Sequence, residues 1–310
     1  MTDDHLEQVH AALASIPELN APAPGAYPVT RLGGLTNLVF RIEIDGGPYV
    51  LRLPGKGTED YIDRKVERHN AVVAAAAGVS AEVIHADAGT GLMLTRCIEN
   101  IVTMTPDEFG TRAGAPGRAG RALRRLHTCG QAFESRFDLY AMIDEYLGVL
   151  KAKRSELPPG YADVVAAAQP VRQALATHPA PLAPCHCDPL CENFLDDGAR
   201  MWIVDWEYSG MNDPLWDLGD LSVEAGLTPA QDQAMMRAYF GDQPTAAQTG
   251  RMTIYKAMCD LLWTLWGLIQ HADGNPAEDF WAYALGRLER CKALMDAPEF
   301  KDHVAAVARR

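Results

Sequence analysis

Asp188, Asn193 and Asp205 are the residues of this 310-residue chain whose types and spacing could do chemistry. They fall in His186-Cys187-Asp188-Pro189-Leu190-Cys191-Glu192-Asn193 and in Val204-Asp205-Trp206-Glu207. Phosphoryl transfer needs a carboxylate that takes the hydroxyl proton, and an amide and a second carboxylate that hold Mg2+ on the nucleotide phosphates. An aspartate, an asparagine five residues on and an aspartate twelve residues beyond supply that set within one short strand-loop-strand stretch. Alone, Asp188 before Pro189 would read as a turn-capping carboxylate. The three residues in register favour catalysis.

The elements that must carry them divide the chain in two. Residues 3–16 have helical spacing, ended by the Pro/Ala/Gly-rich stretch 21–28. Residues 37–44 and 48–53 are β-branched or apolar runs joined across Asp45-Gly46-Gly47, which is hairpin chemistry. Residues 60–77 read as a helix stopped by Gly78, and 82–85 and 92–96 as short strands around a turn at 87–91. Beyond about Cys97 the pattern turns helical, over 116–129, 140–153 and 162–178, with turns at Pro158-Pro159-Gly160 and 179–184. Short strands around His186 and at 202–205 interrupt it, and helical periodicity resumes from Pro214. No internal repeat, low-complexity tract or long linker breaks the chain. This predicts an α+β, two-lobed architecture with a cleft: a small β-sheet lobe with one main helix over 1–97, and a larger, mainly helical lobe over 98–310.

Composition narrows the partners. A formal net charge of −13 argues against nucleic acid or an anionic membrane surface and suits a cationic or neutral small substrate. Seven cysteines, odd in number and irregular in spacing, predict a reducing compartment, with cytoplasm as the default. Residues 1–8 are acidic where an export signal would be basic. The one candidate membrane span, 252–270, is interrupted by Lys256 and Asp260 and reads better as a buried helix, so no membrane insertion is expected. Cys185, Cys187 and Cys191 bracket His186 but lack the paired spacing of a structural zinc site, and they read as packed small residues.

The motif segments, together with Asp205-Trp206-Glu207-Tyr208 and Asn212-Asp213-Pro214-Leu215-Trp216-Asp217-Leu218, resemble the choline/ethanolamine kinase branch of the aminoglycoside-phosphotransferase and protein-kinase-like superfamily. The likeness extends over about residues 31–283. It implies a protein-kinase-like fold that uses ATP and Mg2+, in which Asp188 orients the acceptor hydroxyl and Asn193 and Asp205 ligate the metal. His186 would support the loop by hydrogen bonding and Asp217 would brace it. Arg52, in Tyr49-Val50-Leu51-Arg52-Leu53, stands where kinase-like folds carry a phosphate-binding lysine, with Glu67 as its partner on the following helix. Leu32-Gly33-Gly34-Leu35-Thr36-Asn37 lies between two strands, where Gly33, Gly34, Thr36 and Asn37 could lay amides and a hydroxyl over phosphates. Residues 94–100 would pass between the lobes and receive the adenine.

The acceptor has to be read from the helical half. Trp263 and Trp266, three residues apart, share a helix face, and Trp281-Ala282-Tyr283 follows on the next helix. The resemblance implies that Tyr208, Trp263, Trp266 and Tyr283 box an ammonium group while Glu224 adds a carboxylate. Aromatic faces bind a cation lacking N–H donors by about 0.5–2 kcal/mol each. Tryptophans at this spacing are also ordinary core packing. The expectation is an ATP- and Mg2+-dependent kinase of choline or a related amino alcohol. Ethanolamine, thiamine, an aminoglycoside or a sugar are the other acceptors, and a non-catalytic nucleotide- or amine-binding protein is the rival of another class. A polycationic aminoglycoside would want an acidic pocket, so the tryptophans weigh against it.

Overall fold

Strand alternation decides which way the N-terminal sheet faces. A computed structural model describes residues 3–17, 19, 23–32, 37–44, 46–55 and 62–309, starting with α1 (Asp3–Ala14), β1 (Val29–Arg31), β2 (Leu38–Ile44) and β3 (Gly47–Leu53). These are followed by α2 (Arg64–Ala76), β4 (Val83–Ala86) and β5 (Met93–Arg96). The strands form one antiparallel sheet in the order β1-β2-β3-β5-β4. Phe40 and Ile42 pair with Leu51 and Tyr49, and all four are buried in one cluster with Val9, Leu13 and Ile16. Arg52, next to Leu51 and opposite Val39, therefore leaves from the other face, toward α2 and the cleft. The helix expected over 60–77 starts only at Arg64. Asp63 is extended and its carboxylate accepts from the Lys65 and Val66 amides, a side-chain cap that sets the boundary.

The helical lobe is less uniform than its sequence predicts. After β6 (Val102–Thr103) come α3 (Pro106–Thr111), α4 (Ala115–His127) and α5 (Leu139–Lys153). The single helix expected over 162–178 is two, α6 (Tyr161–Ala167) and α7 (Gln169–Thr177), because Pro170 lacks the amide needed to continue a helix and begins a new one. β7 (Ala183–Cys185), β8 (Phe194–Asp196), β9 (Met201–Ile203) and β10 (Gly210–Asn212) follow, and then α8 (Leu215–Glu224). β6, β8 and β9 make a three-stranded sheet, and β7 pairs with β10, so the loop 186–193 is held between two small ladders. β6 and α3 are too short to leave a periodic signal.

The lobe is completed by α9 (Pro229–Phe240), α10 (Ala246–Ala272), α11 (Phe280–Asp296) and α12 (Phe300–Ala308). α10 is the buried helix expected from 252–270. Its two interrupting charges are paired: Lys256 with Asp232 at 2.7 Å, and Asp260 with Arg287 at 3.1 Å and Arg290 at 2.6 Å. No helix among the described residues is long and apolar enough to cross a membrane. The whole is a mixed α+β protein with a small antiparallel sheet lobe and a helical lobe. α8 crosses α10 at Gly219, where a Cβ would lie 2.8 Å from the Met252 carbonyl oxygen and 2.8 Å from the Tyr255 Cβ. Gly219→Ala should therefore destabilise the protein by about 1–3 kcal/mol, read as a lower urea midpoint. An unchanged midpoint would mean that the two helices are not in close contact there.

Candidate active site

The segment 186–205 is pinned at two left-handed residues. Cys187 (φ 67°) and Asp205 (φ 68°) are two of the four non-glycine residues with positive φ among those described, a conformation that persists only when its surroundings enforce it. Asp217 does so at the first. One of its oxygens accepts from the Cys187 amide at 2.9 Å, and the other from the His186 amide at 2.7 Å and from His127 Nε2 at 2.9 Å. Trp216 Nε1 adds a bond to the Cys187 carbonyl at 3.0 Å. His186 Nε2 donates to the Val204 carbonyl at 2.9 Å, joining the loop to the strand that delivers Asp205. Burial lowers the His186 pKa, so the ring is a neutral brace and not a proton carrier. Burial raises the thiols of Cys185, Cys187 and Cys191, leaving them protonated packing groups.

Within the loop, Asn193 Nδ2 donates to the Asp188 carbonyl at 3.1 Å, which leaves its amide oxygen for a cation. The Val204 amide bonds the Asn193 carbonyl at 2.9 Å, fixing Asn193 beside Asp205. Burial, then the charges of Asp205 and Glu224, push the Asp188 pKa up to about 8, with Arg287 opposing. The Asp205 side chain keeps 40% of its surface but lies between the lobes. Desolvation there, then Glu207, raises its pKa to about 7 against the pull of Arg52 at 4.0 Å. An amide oxygen and an under-compensated carboxylate are hard donors of the kind that fit Mg2+.

Arg52 sits in a four-charge network. It pairs with Glu67 and, at 3.4 Å, with Glu207. Arg64 pairs with the same two carboxylates at 2.8 and 2.5 Å. Burial works against the charge on Arg52, but the bond and charge of Glu67, with Asp205 and Glu207, outweigh it and raise its pKa. Asn37 closes the network: its Nδ2 donates to Glu207 at 3.0 Å and its Oδ1 accepts from the Gly55 amide at 3.2 Å. Both ends of that amide are thus used within the protein. Gly33, Gly34 and Thr36 lie outside the described residues.

On the helical side, Tyr208 meets Trp263 edge-on at 5.8 Å, and Trp266 meets Tyr283 at 5.8 Å. Tyr283 packs over Gly267, where a Cβ would come within 2.6 Å of the ring. Trp263 is buried and its Nε1 donates to Asp220 at 3.2 Å, whereas Trp266 is only half-buried. Glu224, expected to face a ligand cation, pairs with Arg287. Arg287 also reaches Asp260 at 3.1 Å and lies 4.9 Å from the Tyr283 ring centroid.

A profile of the phosphotransferase enzyme family matches residues 29–248. The solved structure of a choline/ethanolamine kinase family protein from Mesorhizobium loti is 60% identical, with a TM-score of 0.90, covering 98% of this chain and 99% of that one. The chain belongs to the choline/ethanolamine kinase family. It is a phosphotransferase with an alcohol group as acceptor, a small-molecule kinase. The choline kinase LicA from Streptococcus pneumoniae is 26% identical, with a TM-score of 0.75 over 93% of this chain and 98% of that one. A structure of LicA in complex with AMP is 25% identical, with a TM-score of 0.72 over 93% and 97% of the two chains.

In this family member the structure brings Asp188, Asn193 and Asp205 into one loop system, with Arg52 reaching it from β3, paired to Glu67 on α2, and Glu224 from the helical side, while Tyr208 packs on Trp263. Sequence reasoning passed over Arg64, Glu207, Asp220 and Arg287. The first two carried signals: Arg64 is three residues before Glu67 on one helix, and Glu207 follows Asp205 by two. Asp220 stands between Asp217 and Glu224 at helical spacing. A cavity of about 730 Å³ also opens beside the crossing segment, lined by residues including Ala75, Ser80, Val83, Cys97, Ile98 and Trp202 and by neither Asp188 nor Asp205.

Proposed function

We propose that this kinase transfers the γ-phosphoryl group of ATP, with Mg2+, to the hydroxyl of choline or a related amino alcohol. The observation that carries the reading is the position of Asp188, whose charged neighbours are Asp205 on the nucleotide side and Glu224 and Arg287 on the aromatic side. Asp188 orients the acceptor hydroxyl and takes its proton, and a carboxylate whose pKa is raised to about 8 is a stronger base than an ordinary one. Asn193 and Asp205 hold Mg2+, which when bound neutralises charge on the phosphates. Arg52, kept in place by Glu67, contacts the phosphates, with Gly33, Gly34, Thr36 and Asn37 as the covering turn and residues 94–100 at the adenine. His186 and Asp217 support the loop.

Tyr208, Trp263, Trp266 and Tyr283, with Glu224, form the acceptor site, and their aromatic character favours an ammonium over a sugar. In this reading residues 1–97 bind nucleotide and 98–310 carry catalysis and acceptor, in a cytoplasmic enzyme. The likeness to the choline kinase LicA, and to LicA bound to AMP, supports both substrates. Coupled ADP release with Mg-ATP tests it, across choline, ethanolamine, thiamine, aminoglycosides and sugars. Turnover is expected with choline or ethanolamine, confirmed by a phosphorylated product. A folded protein that turns over neither would sink the amino-alcohol reading.

A further inference from the structure

α8 presents three carboxylates at helical spacing, Asp217, Asp220 and Glu224, and they are not equally satisfied. Asp217 uses both oxygens on the catalytic loop and His127. Glu224 has a cation, Arg287, against its Oε1, although that oxygen accepts no hydrogen bond among the described residues. Asp220 is 1% exposed; its Oδ2 accepts from Trp263 Nε1 at 3.2 Å, and its Oδ1 meets no donor among the described residues. A buried carboxylate with an idle oxygen is costly, and such a group is kept where something else uses its charge. Around it, the four carboxylates of Asp188, Asp220, Glu224 and Asp260 share the two guanidiniums of Arg287 and Arg290, both of which are bonded to Asp260. Were all four ionised, they would outnumber the guanidiniums two to one, so the site has carboxylate capacity that an added cation could draw on.

We propose that Asp220 is the positioning and specificity residue of the acceptor site, supplying the counter-charge for a cationic acceptor and holding the indole of Trp263 against it. This rests on the amino-alcohol reading above and reassigns the counter-charge from Glu224, whose carboxylate is engaged by Arg287, to Asp220. The charge acts through the Trp263 ring edge: an anion on the indole N–H side makes the ring face more attractive to a cation, and in a water-poor enclosure the direct Coulomb attraction is weakly screened. Burial and the neighbouring Glu224 raise the Asp220 pKa well above the usual carboxylate range, and a cation close by would bring it down again. The pocket is thereby matched to an acceptor with one positive charge, quaternary or protonated, and mismatched to a neutral alcohol of the same shape.

The test compares a cationic acceptor with its neutral carbon isostere, in which a tert-butyl group replaces the trimethylammonium, used as acceptor or, where turnover is too slow, as competitive inhibitor. Wild-type enzyme is assayed first with choline and ethanolamine; if it turns over neither, the amino-alcohol reading has failed before Asp220 is questioned. With a working acceptor, Asp220→Asn, which keeps an oxygen for Trp263 Nε1, should lower kcat/KM for the cation by about 10- to 100-fold, carried by KM. The same variant should change the value for the neutral isostere by no more than about twofold. Equal losses for both, or no loss for the cation, overturn the proposal, since a merely structural role lowers both together. Should Asp220→Asn fail to fold, Trp263→Phe gives the answer: it removes the N–H but keeps the carboxylate. The preference for the cation over the neutral isostere should then fall, because the carboxylate no longer acts through the indole edge. An unchanged ratio would mean that the Asp220 charge does not act through Trp263, and would overturn the proposal.

Discussion

Replacing Asp188 by Asn should lower kcat by about 10²- to 10⁴-fold while nucleotide binding survives, because the amide keeps the shape of the carboxyl and loses only its ability to take a proton. The same substitution should make the protein more stable at neutral pH. Asp188 has a folded-state pKa of about 8, against 3.8 for an unperturbed aspartate, since burial, Asp205 and Glu224 all oppose its charge. Below the unfolded value both states hold the proton and the group contributes nothing to pH dependence. Between the two values the unfolded chain ionises and the native state does not, so native stability falls as pH rises, and above the folded value the loss is constant. Thermal melts of nucleotide-free protein in chelator should therefore give Asp188→Asn a higher Tm than wild type at pH about 8, by a free energy on the order of a few kcal/mol, and Tm values that converge by pH about 3. Unchanged turnover would refute the catalytic role, and a less stable variant at the higher pH would mean that the folded state compensates the carboxylate.

Asp217→Ala should be the most destabilising single change in the catalytic segment. The carboxylate is fully buried and accepts from the His186 amide, the Cys187 amide and His127, so its removal leaves three buried donors without a partner. Losing one side of a buried, charge-assisted set of this kind costs about 3–5 kcal/mol. The urea midpoint should drop accordingly, and kcat should fall as well, since Cys187 would lose the bond that holds its left-handed conformation next to Asp188. Asp217→Asn, which retains one acceptor oxygen, should fall between alanine and wild type. A midpoint for Asp217→Ala indistinguishable from wild type would show that water or neighbouring groups satisfy the freed amides.

Both predictions concern residues that could be singled out in advance, and the reason is local. Asp188, Asn193 and Asp205 lie within eighteen residues of one another, and short-range geometry between two small strand ladders suffices to bring them together. The hairpin of β2 and β3, the buried α10 and the two-lobed α+β arrangement follow from periodicity, which records which face of an element meets the core. The boundaries that failed did so for equally physical reasons. Asp63 capped α2 later than its apolar pattern began, Pro170 split the helix expected over 162–178 after Ala167, and β6 and α3 are too short for any pattern to register.

What the chain by itself determined is therefore the phosphoryl-transfer constellation, the lobes that carry it and the aromatic residues from which an acceptor site can be built. Only the tertiary structure decided how the charges are shared. Glu207, Arg64 and Asn37 join Arg52 and Glu67 through contacts between β2, β3, α2 and the segment after Asp205. Arg287, arriving from α11, pairs with the Glu224 carboxylate, whereas Asp220, under Trp263, is buried with an idle oxygen and no ion pair among the described residues. A carboxylate's availability depends on which cation reaches it through space. Helical spacing can align Asp217, Asp220 and Glu224 on α8, but the partner of each is set by packing against α4, α10 and α11.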